Sequence, residues 1–149
     1  MRIKTSRFGT LEVDESRFIN FERGILGFPD TVAYGLVQTG EESAFYWLQA
    51  IDREDLAFVV CDPRLFVHDY RAPVKAEDLA PIGLTDPERA QVFIIVNKTD
   101  DMLTGNLQGP LVVNVETCQA RQLVLSDKRF STRHPLMRLS EMRVMSKTG

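Results

Sequence analysis

Cysteine, histidine and long apolar runs are the scarce ingredients of this chain. Its two cysteines, Cys61 and Cys118, belong to no CxxC pair. Neither a zinc site nor a disulfide framework is indicated, and two reduced thiols are expected. Cys61 ends an apolar run and reads as a small buried hydrophobe, while Cys118 falls in a predicted turn. No apolar run approaches the roughly 20 residues that span a bilayer. The opening Met-Arg-Ile-Lys-Thr-Ser-Arg-Phe has no signal-peptide h-region. A cytoplasmic protein without membrane association is therefore expected. His68 and His134 are the only histidines, too few to supply a metal site readily. GxSxG and HExxH are both absent. His68 beside Asp69, with Asp62 upstream, could support acid–base work, but a loop histidine is the better reading. The expectation is no catalytic residue, no cofactor, no metal and no small-molecule substrate.

A basic face is also missing from most of the chain. Residues 1–110 carry 18 acids and 11 Lys/Arg, a balance of −7; residues 111–149 carry 3 acids and 7 Lys/Arg, a balance of +4. An acidic body neutralises phosphates poorly, so no direct nucleic-acid binding is expected. It could attract a basic protein, or be a generic solvated surface. Around Phe45-Tyr46-Trp47 the charged neighbours are Glu41, Glu42, Asp52, Glu54 and Asp55, which argues against a base-stacking platform.

What is present is ordinary for one soluble globular domain: 149 residues, 44% hydrophobic and 26% charged. Ile3 and Thr5, then Leu11 and Val13, alternate around Arg7-Phe8-Gly9 and predict a hairpin with Gly9 in the turn. Phe18 to Phe21 leads into Gly24, Gly27, Phe28 and Pro29, a tight loop unlike a phosphate loop. Strands are predicted over residues 33–37, 45–51, 56–61 and 91–97, with a hairpin of 45–51 and 56–61 at the middle of the core. Gly40 to Ser43 reads as a polar turn, Asp52 to Asp55 as a charged one. Ala76 to Leu79 predicts one helical turn, and Thr85-Asp86-Pro87-Glu88 an N-cap followed by Pro. Lys98 to Asp101 and Thr117 to Ala120 read as turns, with a last strand over Arg121 to Leu125. Pro135 to Met145 predicts a weak amphipathic helix, and Ser146 to Gly149 a disordered end. Eight or so short strands imply an all-β, mainly antiparallel, barrel-like single domain with one or two short helices.

The stretch Leu103 to Asn114 organises the rest. Leu111, Val112, Val113 and Val115 read as a buried strand. Before them Asn106 and Gln108 offer amides that donate and accept, on a path bent by Gly105, Gly109 and Pro110. Such a segment is either a structural corner or a recognition loop on a rigid support.

Five blocks, in order, give the chain a family likeness. They are Phe21-x-x-Gly24-x-x-Gly27-Phe28; Phe45 to Gln49; Leu56 to Val60 with Asp62-Pro63; Thr104-x-Asn106-Leu107-Gln108-x-Pro110 to Asn114; and Gln122 to Leu125 with Ser131 to Leu136. Together they resemble the FliW family of flagellar assembly factors. Departures are Glu22 and Leu26, where the family usually has Pro, and Gly109, where Ala is frequent. The resemblance implies a FliW-like β-barrel domain over residues 1–136. Residues 137–149 would then be a basic C-terminal extension, partly disordered or weakly helical. It also implies a non-enzymatic regulator that binds flagellin, through its C-terminal region, and the translational repressor CsrA. Released by flagellin export, such a protein binds CsrA and relieves repression of flagellin translation. The implied partner-binding residues are Asn106, Leu107, Gln108 and Pro110, with Glu77 and Asp78 steering. A small flavin-binding barrel, or a nucleic-acid-binding barrel using the basic tail, is the competing reading.

Overall fold

The computed structural model describes residues 1–38 and 44–141. The polar turn expected at Gly40 to Ser43, and the tail beyond residue 141, lie outside the described residues. The expected N-terminal hairpin forms from β1 (Arg2–Thr5) and β2 (Gly9–Glu12). It lies against the outside of the main sheet. Phe8 meets the Trp47 ring edge-on at 5.8 Å, and the Arg7 guanidinium sits 4.1 Å from the centre of that ring.

The main sheet contains β3 (Ile19–Phe21), β4 (Ala33–Val37), β5 (Phe45–Ala50), β6 (Ala57–Cys61) and β7 (Ala90–Thr99). It continues with β8 (Met102–Gly105), β9 (Leu111–Asn114), β10 (Gln119–Gln122) and β11 (His134–Arg138). Strands β3 to β7 pair antiparallel in succession, β7 pairs with β9, β9 with β10, and β10 runs parallel to β3. That circuit closes a barrel, as expected, and β8 and β11 extend the sheet outside it.

The ten residues of β7 make this possible. Ala90–Phe93 pair with β9, Ile94–Val96 with β6, and Val96–Thr99 with β8. Strands β8 and β9 are thus two parts of one partner to β7, interrupted at residues 106–110. The interruption is a fork. On one side of it the next strand outward is β10, on the other it is β11.

Alternation along β9 explains its continuous apolar run. Leu111 and Val113 face the barrel interior with Phe21, Ile25, Tyr34, Leu48 and Phe93. Val112 faces outward beneath α1 (Ala76–Leu79), among Leu79, Ile82, Leu123 and Leu125. A strand covered on both faces has no polar side to present. Each such side chain contributes about 1.5–3 kcal/mol through burial. The N-cap predicted beside Pro87 is real: Asp86 accepts from the Glu88 N–H at 3.0 Å and a 3-10 turn follows over Pro87–Arg89.

Three expectations are corrected. The last strand expected over Arg121 to Leu125 is β10, which begins at Gln119 inside the expected turn and ends at Gln122, and β11 follows it. Leu103 to Gly105 belongs to β8, not to an irregular bend. Its strand character comes from its neighbours, since a Cβ on Gly105 would lie 2.5 Å from Ile94 Cδ1 and 3.2 Å from Leu136 Cδ1. Glycine lets the Ile94 and Leu136 side chains close over the strand here, and any larger residue would require those methyls to move. Pro135 to Arg138 is strand rather than helix. Leu136 and Met137 pack together into the cluster of Phe45, Ile94, Val96 and Leu107, which a bulge between Pro135 and Met137 permits. Pro135 has no ladder donor to lose on this outermost strand. Residues 139–141 turn helical, held where the Leu139 N–H donates to Asp101 O at 2.8 Å.

Candidate partner-binding surface

Strand directions place one set of connections at one end of the barrel. They are the 22–32 loop after β3, the 51–56 turn between β5 and β6, the fork at 106–110, and the end of β10 with residues 123–125 after it. All five sequence blocks contribute here, the second through Gln49.

At the fork, Asn106 folds its own loop. Its Oδ1 accepts from the Gln108 N–H at 3.0 Å and the Gly109 N–H at 3.1 Å, an Asx turn. Leu107 is buried, its N–H donates to Ser131 O at 2.9 Å, and its carbonyl accepts from the Tyr70 hydroxyl at 2.7 Å. Burial pushes that Tyr70 hydroxyl up to about 12, so it remains a donor across the working range of pH. Pro110 is fully buried, and its carbonyl accepts from Leu123 N–H at 2.8 Å. Of the four loop residues singled out from the sequence, only Asn106 and Gln108 reach solvent, each half-buried.

Replacing Asn106 with Ala is expected to lower stability by about 1–2 kcal/mol, because two partly buried amides lose their acceptor. Asn106→Asp keeps the acceptor and should stay within about 0.5 kcal/mol of the parent. Urea midpoints of the two variants check this; equal losses would show that the Oδ1 bonds do not hold the loop.

Gln122 ties the fork to the opposite loop. Its Nε2 donates to Gly109 O at 3.1 Å, and its Oε1 accepts from the Leu26 N–H at 2.7 Å. A Cβ on Gly109 would lie 2.8 Å from that Nε2, so glycine here leaves the amide its path. The Leu26 turn is a tight reversal. Phe28 N–H donates to Ile25 O at 2.7 Å, and Gly27 takes φ +92°. Positive φ at the third position suits a type II turn and puts Leu26 at its tip. Ile25 and Phe28 point inward as a stopper for the barrel.

Behind them, Gln49 organises the 51–56 turn. Its Nε2 lies 3.1 Å from the carbonyls of Ala50, Arg53 and Leu56 and 3.4 Å from that of Glu54. The Arg53 guanidinium then lies over the Phe28 ring, 5.6 Å from its centre.

The outcome is a fixed surface with two aliphatic knobs. Leu26 is 75% exposed and Val124 71% exposed, the highest values among the large hydrophobics of the described residues. Val124 is outside because its neighbours Leu123 and Leu125 are drawn into the core by bonds to Pro110 O and Gln108 O. Exposed Glu22, Asp30, Asp52, Glu54 and Asp55 belong to the same loops, against Arg23 and Arg53. Sequence reasoning missed Leu26, Gln122 and Val124 as surface elements. The signals were a leucine between two turn glycines and a three-residue apolar run of which alternate residues must face apart.

Glu77 and Asp78 are not at this end. They sit on α1, on the outer flank of β10, where Asp78 Oδ2 accepts from the Lys75 N–H at 2.9 Å and Asp78 O from Arg121 Nη1 at 3.2 Å. His68 is exposed on its loop. Burial works to raise the Asp62 carboxyl, but hydrogen bonds from Arg64 and Gln91 outweigh it and hold the group below the usual carboxylate range. That carboxylate is committed to Arg64 and Gln91, with no bond to His68. Burial, with Asp62 adjacent, pushes the Cys61 thiol up to about 12, far from a reactive thiolate. Among the described residues, no group of three or more His, Cys, Asp or Glu is placed to hold a metal ion. No described helix is long and apolar enough to cross a membrane.

Comparison with known proteins places this geometry. The family model described as FliW protein matches residues 2–136. The flagellar assembly factor FliW of Bdellovibrio bacteriovorus is 37% identical over 147 residues, covering 97% of this chain and 84% of that protein. That of Natranaerobius thermophilus is 35% identical over 139 residues, covering 91% and 92%. A crystal structure of the flagellar assembly factor FliW superposes with a TM-score of 0.84 at 29% identity, covering 92% of this chain and 97% of that one.

Proposed function

The chain belongs to the FliW family of flagellar assembly factors, and from that premise we propose that it is a non-enzymatic, partner-switching regulator. In this reading it binds the C-terminal region of flagellin while unexported flagellin is plentiful. When export frees it, it binds CsrA in the cytoplasm and lifts repression of flagellin translation. The observation that carries the reading is the extent of the family match, which takes in the whole barrel and the fork at 106–110. The acidic balance of residues 1–110, −7, supports it further, because an RNA-binding repressor presents basic groups that such a body attracts.

The test is calorimetry with purified flagellin and CsrA from the same organism, followed by competition. Binding of each is expected at micromolar protein or below, with flagellin displacing CsrA. Absence of detectable binding to both would remove the reading.

A further inference from the structure

We propose that the barrel end bearing Leu26 and Val124 is the docking face for the basic member of that pair, a protein surface with an apolar centre ringed by Lys and Arg. The inference rests on the function proposed above and adds the place and the chemistry of one contact.

Three observations lead to it. First, the knobs are held rather than free. Leu26 is anchored through its own N–H to Gln122, and its neighbour Ile25 is 2% exposed in the core. Val124 is fixed by the backbone bonds of Leu123 and Leu125 on either side. Rigid apolar groups lose little freedom when a partner covers them. Val32, 37% exposed, lies in the same 22–32 loop and widens the apolar area.

Second, charge selects the occupant. On the 22–32 and 51–56 loops five exposed carboxylates, Glu22, Asp30, Asp52, Glu54 and Asp55, outnumber two guanidiniums, Arg23 and Arg53. Arg53 is already engaged, over Phe28 and 4.0 Å from Asp55. A nucleic-acid backbone is repelled by this rim, and so is a second copy of the same surface. A basic protein face is attracted.

Third, the face needs no rearrangement to be used. Its loops are bound to one another by Gln122 at one side and by the carbonyls gathered on Gln49 at the other. Apolar anchors inside a charged rim match the way binding energy concentrates at the centre of protein interfaces.

The test compares Leu26→Ser/Val124→Ser and Asp52→Lys/Asp55→Lys with the parent chain. Leu65→Ser serves as a control, since Leu65 is 59% exposed on a separate 3-10 turn. All the substituted side chains are exposed, so thermal midpoints should match the parent. Calorimetry against purified CsrA is run at low and high salt, and light scattering records the mass of each variant. The double serine variant is expected to weaken CsrA binding by at least about tenfold, with the control within about twofold. The lysine variant is expected to weaken binding at low salt and to flatten its salt dependence. A parallel loss of flagellin affinity would also support the docking face and would make the two partners' sites overlap. Parent binding with the serine variant unchanged overturns this inference and leaves the proposed function standing. Loss of flagellin affinity alone, or a parent dimer that the serine variant converts to monomer, overturns it in favour of those occupants. A parent chain that binds neither protein overturns the function and this inference together.

Discussion

Changing the Gln49 amide to a carboxylate, Gln49→Glu, is expected to cost about 4–5 kcal/mol at neutral pH, more than any surface substitution should. Gln49 is fully buried, and its Nε2 faces four main-chain carbonyls within 3.1–3.4 Å. In Glu an acceptor takes the place of that donor. An ionised carboxylate there would meet the negative ends of several carbonyl dipoles with no cation to offset it. The carboxyl is held protonated in the folded state, so its folded pKa is raised above the unfolded value of about 4.3. The variant is therefore least impaired below that unfolded value and loses stability as pH rises through the folded one. Gln49→Leu removes the donor without adding charge, and should cost about 1–3 kcal/mol with no added pH dependence. Urea unfolding of both variants between pH 4.5 and pH 8, relative to the parent, separates them. Identical losses at every pH would mean that the carboxylate escapes the carbonyls.

Gly24→Ala should be nearly as damaging, by a different route. Gly24 has φ +69°, and a Cβ there would lie 2.3 Å from Phe28 O, 2.7 Å from Pro29 Cα and 2.9 Å from Pro29 C. All three are backbone atoms, so no side-chain rotation relieves the clash. Left-handed backbone costs an alanine about 1–2 kcal/mol, and forced displacement in a packed region about 1–3 more. The turn must open, and Phe28 must leave its edge-on contact with Phe58, 5.5 Å between ring centres. Gly27→Ala makes the internal comparison. Gly27 also has positive φ, +92°, but a Cβ there meets nothing within 4 Å, so only the backbone cost remains. Gly24→Ala is expected to lose about twice as much stability as Gly27→Ala, about 2–5 against 1–2 kcal/mol. Comparable thermal midpoints for the two would contradict the steric account.

Much of the barrel was legible because its strands carry their own signals. Phe45 to Ala50 and Ala57 to Cys61 are β-rich runs with a charged turn between them, and their antiparallel register needs no distant information. Asp86-Pro87 marked its 3-10 turn by local chemistry. The elements misjudged were those defined by their partners. Met102–Gly105 has no β-branched pattern, and becomes strand because Thr99 and Met102 pair across a reversal in which Asp100 takes φ +54°. His134–Arg138 shows helix-like apolar spacing, and only the open edge of β8 makes it strand. At the candidate surface, Asn106 and Gln108 stood out as amides. The residue that joins the loops, Gln122, looked like any polar position in an alternating strand. Its role depends on Leu26, 96 positions away in sequence, and no local pattern encodes such a contact.

The parallel pairing of β3 with β10 has a consequence for synthesis. Asn20 faces Gln119, 119 minus 20 or 99 positions later, and Phe21 faces Ala120. A chain emerging from the ribosome can form the N-terminal hairpin and the β4–β5–β6 meander early. It cannot close the ring until Gln122 has been released, and contacts so distant in sequence form slowly. Until then the Leu26 turn has no Gln122 to hold it, and Val124 does not yet exist. The ring therefore acts as a late checkpoint: a chain that ends before Val124 never assembles this end of the molecule.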